Sequence, residues 1–413
     1  MLVQSHLRSA PEMAAGVAAH PGAGSAFAAT QANWRFLNNA RVTLPALVAP
    51  LRQVGVERCQ QSTAGFVLLV HDWSKLAFDD AKADLTQLTH QTDIGYELTT
   101  ALLLSADDGA PLAPMEMHQQ TAKGMLSTRA PAPRVQGHLE QVLPTMQASR
   151  TWGVGQPILH VIDRAADSVD HYRRWDAAGE MFLVRADDRR VKWQDEPALL
   201  SEISQSLRSQ RQFVCGGTAN NQGRAAQLWV AETSVVLHRP AKKKVQGRTC
   251  DQPGRALELR LIVVQVRNGA GKVLAHWLLL TNAPQPITAE HLARCYYWRW
   301  RIESFFQLLK SHGQQLAHWQ QPTGPAIARR LLIAAMACVT VWQLQADASP
   351  RAQELQTLLV RLSGRQMKRT TPVTAPALLS GLWVLLSTLE LLDHFSPHQP
   401  RQLARQLPFT PTG

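Results

Sequence analysis

Tyr296-Tyr297-Trp298-Arg299-Trp300-Arg301-Ile302-Glu303-Ser304-Phe305-Phe306-Gln307-Leu308-Leu309-Lys310 mixes apolar and polar side chains at the spacing of an α-helix. Cys295, Trp298, Ile302, Phe305, Phe306 and Leu309 form one apolar face, which predicts an amphipathic helix docked on a core. Beside that face, Tyr296, Arg299, Glu303 and Lys310 follow at intervals of three, four and seven residues. At about 100° per residue these four side chains share an arc of roughly 60°. A phenol, two cations and a carboxylate along the edge of a buried surface have two readings. They are surface ion pairs at helical spacing, or they face something bound over the stripe.

Two upstream segments bear on that choice. Gly65-Phe66-Val67-Leu68-Leu69-Val70-His71-Asp72 is an apolar run ending in an acid, and Pro157-Ile158-Leu159-His160-Val161-Ile162-Asp163 repeats the design. Such runs predict strands buried on both faces, and the C-terminal ends of strands are where α/β sheets place site residues. Taken singly, either aspartate also reads as an ordinary helix N-cap. Together, in the order Asp72, Asp163, Glu303, they supply three carboxylates that a single fold can converge.

The spacing Tyr-x2-Arg-x3-Glu-x6-Lys resembles the signature of the insertion-sequence-four family of DDE transposases, in detail its transposon-five branch. Asp163-Arg164-Ala165-Ala166-Asp167 is similar to that family's Asp-Arg-Glu-Ala-Asp motif, with Ala165 in place of the Glu. Ala32-Asn33-Trp34-Arg35-Phe36-Leu37-Asn38-Asn39 resembles its short motif ahead of the catalytic core. The resemblance covers roughly residues 30 to 345. It implies an RNase H-like catalytic core within an α/β fold, carrying an inserted β-rich subdomain and followed by a C-terminal helical region. It implies catalytic Asp72, Asp163 and Glu303, whose hard oxygens suit two Mg²⁺ or Mn²⁺ ions about 4 Å apart. Asp72 and Asp163 would share one ion and Glu303 would complete the coordination of the second. Tyr296, Arg299 and Lys310 would hold DNA phosphates, and Trp277 would stack on a base flipped from the duplex. The implied partners are double-stranded DNA, as transposon ends and target, and a second copy of the chain in a synaptic dimer. The implied reaction is cut-and-paste transposition by nicking, hairpin formation and strand transfer. Trp277 also reads as a residue simply packed in a strand. A decayed transposase that only binds DNA and an RNase H-like nuclease that cuts without joining are the alternative functions.

Composition agrees with a polyanion partner. The 413 residues carry 43 Lys and Arg against 31 Asp and Glu, a formal charge of +12, and so basic a chain is disposed to bind nucleic acid. Five scattered cysteines without a Cys-x-x-Cys pair support neither a disulfide framework nor a zinc site, which points to a reducing cytoplasm. The apolar stretch Leu331–Leu344 is too short to span a bilayer, so no membrane partner is expected.

Along the chain, residues 1–30 read as disordered and 31–63 as a short N-terminal helical DNA-binding remnant. Residues 64–345 form the catalytic domain, with 186–282 as the inserted β-subdomain. Residues 346–413 form a C-terminal helical region, a candidate dimerisation surface. Within the core, a β-meander over Gly95–Ser105 and Pro111–His118 turns at Asp107-Asp108-Gly109. A helix over Gly137–Ser149 then crosses back to the second apolar strand. The helix bearing Glu303 starts near Thr288, after Pro284 and Pro286.

Overall fold

Val67, Leu68, Leu69 and Val70 are all fully buried, which demands sheet neighbours on both sides of their strand and cover above and below it. The structure, a computed structural model, describes residues 23–404 except 80, 89–91, 135–136, 246–247 and 366–371. It places these four residues in β1 (Val67–Leu76), inside a thirteen-stranded mixed sheet. On one side β1 pairs antiparallel with β3 (Ile94–Ser105), which carries β4 (Pro111–Thr121) and then β5 (Gly124–Ser127). The short β2 (Thr86–Gln87) also pairs with β3. On the other side β1 pairs parallel with β6 (Ile158–Ile162), and β6 pairs parallel with β7 (Met181–Arg185).

The sheet does not stop at β7. It continues antiparallel into β15 (Val273–Thr281), β14 (Leu257–Arg267) and β11 (Arg224–Leu237), and ends in β8 (Arg190–Trp193) and β9 (Glu196–Leu199). β10 (Val214–Asn221) pairs with β11, while β12 (Ala241–Val245) and β13 (Arg248–Gln252) form a separate hairpin. Apart from that hairpin, the strands of residues 186–282 therefore extend the sheet that holds β1 and β6.

Alternate residues feed two cores. Val161, Leu183 and Leu279 face one, and Ile162, Val184 and Leu280 the other. The second is closed by α3 (His138–Ser149), α4 (Val169–Ala177) and α5 (Leu200–Ser209). The first is closed by α6 (Ala289–Trp298), α7 (Arg301–Leu309) and α8 (Gly324–Ala346), with α2 (Leu44–Cys59) joining it. Thr323 caps α8 by accepting from the Ala326 N–H, and Pro325 occupies its first turn. Arg329 of α8 donates to the carbonyls of Leu37 and Val42, tying down α1 (Ala23–Asn38) and the turn after it. The chain ends in α9 (Pro350–Leu362), α10 (Ala375–His394) and α11 (His398–Ala404).

Several expectations change here. The disorder expected over 1–30 falls mostly outside the described residues, and from Ala23 onward the chain is helical. α8 is 23 residues long, because Arg329 and Arg330 interrupt the apolar run without ending the helix. Its length and composition would cross a bilayer, yet 83% of its most apolar window is buried inside the protein, as expected of a core helix. Ala375–Asp393 passes the same test of length and composition with 28% of its window buried. The helix carrying the stripe is not continuous: α6 ends at Trp298 and α7 begins at Arg301. The Arg299 and Ile302 N–H groups donate three residues back, to Tyr296 and Arg299 carbonyls, so the junction is a tightened turn.

Gly109 sets the height of that junction. It sits at φ +71 in the β3–β4 turn, and a Cβ added there would overlap the Trp298 indole. Both the left-handed backbone and the lost space oppose a side chain. Gly109→Ala should lower stability by about 1–3 kcal/mol, read by denaturant unfolding. An unchanged midpoint would show that Trp298 does not depend on this contact.

Candidate active site of converging carboxylates

Parallel pairing of β1 and β6 ends with His71 opposite Ile162. The next residues, Asp72 and Asp163, therefore stand side by side where the strands part. β1 itself runs on to Leu76 along β3, so Asp72 lies within its strand, at the end of the parallel pairing. Asp72 Oδ1 accepts the Trp73 N–H at 2.8 Å. Asp163 Oδ1 accepts the Ala165 N–H at 2.8 Å and so caps the short turn Arg164–Ala166. The ordinary capping role of a strand-end aspartate is thus present, and it uses one oxygen.

Thr288 caps α6 by accepting the His291 N–H, which starts the run that delivers the stripe. Arg299 is the hub of the site. Its Nη1 donates to Asp72 Oδ2 at 2.8 Å and its Nη2 to Glu303 Oε1 at 2.7 Å. The side chains of Arg299 and Asp72 are only 11% and 12% exposed, that of Glu303 30%. Burial opposes the charge on Arg299, but Asp72, Tyr296, Glu303 and Asp163 around it raise its pKa above the ordinary value. For Asp72 the balance reverses. Burial pushes its carboxyl up to about 6, against Arg299 and the Trp73 N–H, with Asp163 and Glu303 adding to the rise. Asp72 thus feels the charges of Asp163 and Glu303 although the three come from distant segments.

The other stripe residues sit around this centre. Tyr296 is buried, lies near the Arg185 guanidinium and has its phenol pKa raised by burial. The half-buried Trp277 ring of β15 meets the Tyr296 ring edge-on at 5.3 Å. Lys310 caps the end of α7 and donates to Ser74 Oγ at 2.7 Å, and burial lowers its pKa. Tyr296, Arg299 and Glu303 thus gather near the two aspartates, and Lys310 reaches the same strand two residues beyond Asp72. The tightened junction displaces the stripe from a single ideal helix face.

Three residues escaped the sequence reading. Arg185 ends β7 as Asp163 follows β6, so the strand-end rule applied to Glu180–Arg185 would have found it. Ser74 shares a face of β1 with Asp72 by alternation. Trp300, 59% exposed beside Arg299, carries only the signal of an aromatic at a polar position. Asp167, by contrast, is structural: it accepts from Arg189 and from the Tyr172 hydroxyl at 2.6 Å each. On the opposite face from Asp72, His71 Nε2 and His160 Nδ1 lie 2.9 Å apart, and burial holds both below the usual imidazole range. A cavity of about 520 Å³ among Arg150, Gly155, His160 and Glu180 opens at the N-terminal ends of β6 and β7, away from the carboxylates.

The donors suit a hard divalent cation, since Asp72, Asp163 and Glu303 offer only carboxylate oxygens. A cation already lies between two of them, in the form of the Arg299 guanidinium. Among the described residues, no three His, Cys, Asp or Glu side chains are grouped to hold a metal ion.

No family model matches the sequence, and no curated protein is detectably similar to it. Among solved structures the chain is similar to piggyBac transposase in a synaptic complex with hairpin DNA. That likeness covers 100% of this chain and 75% of the other, at 10% identity and a TM-score of 0.41. Agreement that low has no bearing on the chemistry of the site.

The pKa of Asp72 fixes the sign of a stability change. An acid whose pKa is raised on folding binds more protons folded than unfolded, so stability falls as pH rises from about 4 to about 6. The cost is fully present above that window and absent below it, on the order of 3 kcal/mol for a rise of about two units. In metal-free buffer, Asp72→Asn should be more stable than the parent at pH 7 and lose that advantage at pH 4. A variant less stable than the parent at pH 7 would show that the Arg299 pairing outweighs burial.

Proposed function

We propose that this chain is a DNA transposase of the DDE type, similar to the insertion-sequence-four family, built on an RNase H-like core. The observation that carries the reading is the Arg299 bridge from Asp72 to Glu303, with Asp163 following the residue paired with His71 in the register of β1 and β6. The strand order β4-β3-β1-β6-β7, antiparallel from β4 to β1 and parallel from β1 to β7, supports an RNase H-like core.

In this reading Asp72, Asp163 and Glu303 would hold Mg²⁺ or Mn²⁺. When bound, the ions would supply Lewis-acid activation of an attacking oxygen and stabilisation of a leaving one in in-line phosphoryl transfer. The protein's own groups bind and aim the DNA. Arg299 and Lys310 offer charge-assisted hydrogen bonds to phosphates flanking the scissile bond, and Tyr296 and Arg185 line the same edge. The half-buried Trp277 and the exposed Trp300 would provide stacking surfaces, each worth roughly 1–3 kcal/mol per base. Water attacks one phosphodiester to release a 3′-hydroxyl, which then attacks the opposite strand to form a hairpin. Reopening the hairpin frees the 3′-hydroxyl to join target DNA. The formal charge of +12 draws the duplex to the protein. Leu358, Leu389 and Leu392, all exposed on α9 and α10, give a second copy an apolar surface for the synaptic dimer.

Binding and chemistry should separate. Asp72→Ala should abolish Mn²⁺-dependent nicking of a labelled duplex while retaining affinity for it. That affinity should fall steeply between about 50 and 200 mM salt. Nicking that survives the substitution, or affinity indifferent to salt, would refute the assignment.

A nuclease that only cuts needs the acids but has no need to re-aim a strand. Arg299→Ala should therefore slow hairpin formation and end joining by roughly ten- to a hundredfold, more than the first nick. A time course resolving nicked, hairpinned and joined products reads this directly. Equal slowing of every step would favour the nuclease.

A further inference from the structure

We infer that Arg299 is a displaceable counterion that couples metal binding to DNA binding. Its guanidinium ties Asp72 to Glu303 until a DNA phosphate takes it, and only then are both carboxylates open to a divalent metal. The inference rests on the proposed function for its two ligands, but its ground is the geometry of this one side chain.

Both arms of the guanidinium are spent on carboxylates, Nη1 on Asp72 and Nη2 on Glu303, at 2.8 and 2.7 Å. These are the two acids a metal would need from β1 and α7. The fork that fits a carboxylate fits a phosphate equally well, so a duplex can take Arg299 without leaving it unpaired. Lys310, the other cation of the stripe, is different: it donates to a neutral hydroxyl, Ser74 Oγ, and its charge blocks no acid. Arg299 also stands at the one break in its helix, between Trp298 and Arg301, beside the exposed Trp300. Once it is redirected, Asp72, Asp163 and Glu303 repel one another with no internal cation between them, which favours a divalent ion. Before that, the ion must compete with a resident positive charge.

Coupling of this kind is reciprocal. Mn²⁺ binding to the full chain can be followed by the resonance of free Mn²⁺, with and without a short mixed-sequence duplex. Binding by the duplex alone is subtracted. Saturating duplex should tighten wild-type Mn²⁺ binding by about tenfold, and Mn²⁺ should tighten duplex binding by the same factor in fluorescence anisotropy. Arg299→Gln should bind Mn²⁺ without duplex as tightly as wild type does with it, and the coupling should nearly vanish. The wild-type pair of titrations decides the matter even if the variant folds poorly. Duplex-independent Mn²⁺ binding that Asp72→Asn still weakens would overturn the coupling and leave the carboxylate site standing. Absence of any Mn²⁺ binding sensitive to Asp72→Asn would remove the metal reading and the inference with it.

Discussion

One guanidinium holds the site together. Arg299 reaches across 227 residues of sequence to Asp72 while it also holds Glu303, in a setting where Arg299 and Asp72 are nearly out of water. Without a cation there, α7 would press a carboxylate toward a strand that already carries one, with Asp163 beside it. The contacts around this tie serve its placement. Trp298 rests on the bare backbone of Gly109, Lys310 reaches Ser74, and the Tyr296 ring abuts Trp277. Each fixes α6 or α7 against a different part of the sheet, the β3–β4 turn, β1 or β15, so the arginine arrives over β1 at one height and one angle. The burial that makes the tie effective also makes Asp72 expensive to ionise, a conflict that proteins tolerate where chemistry requires it.

Much of this was legible in the sequence, and for local reasons. The apolar runs before Asp72 and Asp163 announce buried strands, and Asp107-Asp108-Gly109 announces the turn that became the seat of Trp298. Pro284, Pro286 and Thr288 mark the start of α6. The acids could be named because each sits where a run of strong local pattern ends. Long-range pairing was a different matter. Nothing near Leu279 reveals that it lies opposite Arg185, since the partner is almost a hundred residues away and any apolar strand could take that place. α5 was missed inside a segment dominated by strands, although Leu200, Ile203 and Leu207 are spaced as a helix face. The break after Trp298 carries no proline or glycine to flag it.

The role of Arg299 was half visible. Its position four residues before Glu303 marks an intrahelical ion pair, and that pair exists. The second arm, on Asp72, depends on how α6 lies across the sheet, a matter of tertiary geometry that spacing cannot encode. The same limit explains Asp167. Its motif position beside Asp163 invites a catalytic reading, yet the Arg189 and Tyr172 contacts make it a brace between the turn after β6 and the chain beyond β7.

The continuous sheet has a consequence for how the molecule reaches its native state. β1 meets β6 about ninety residues later, and β7 must wait for β15, which is made almost a hundred residues after it. Pairings between such distant segments pay loop-closure entropy before any contact rewards them, and topologies dominated by them fold slowly. During synthesis, β7 offers an open strand edge throughout the time that residues 186–272 are being made. An open edge is a template for unwanted pairing with another chain. Self-assembly of this protein is therefore most vulnerable while it is still being translated, and the last segment to relieve that exposure immediately precedes the helices that bring Arg299 and Glu303.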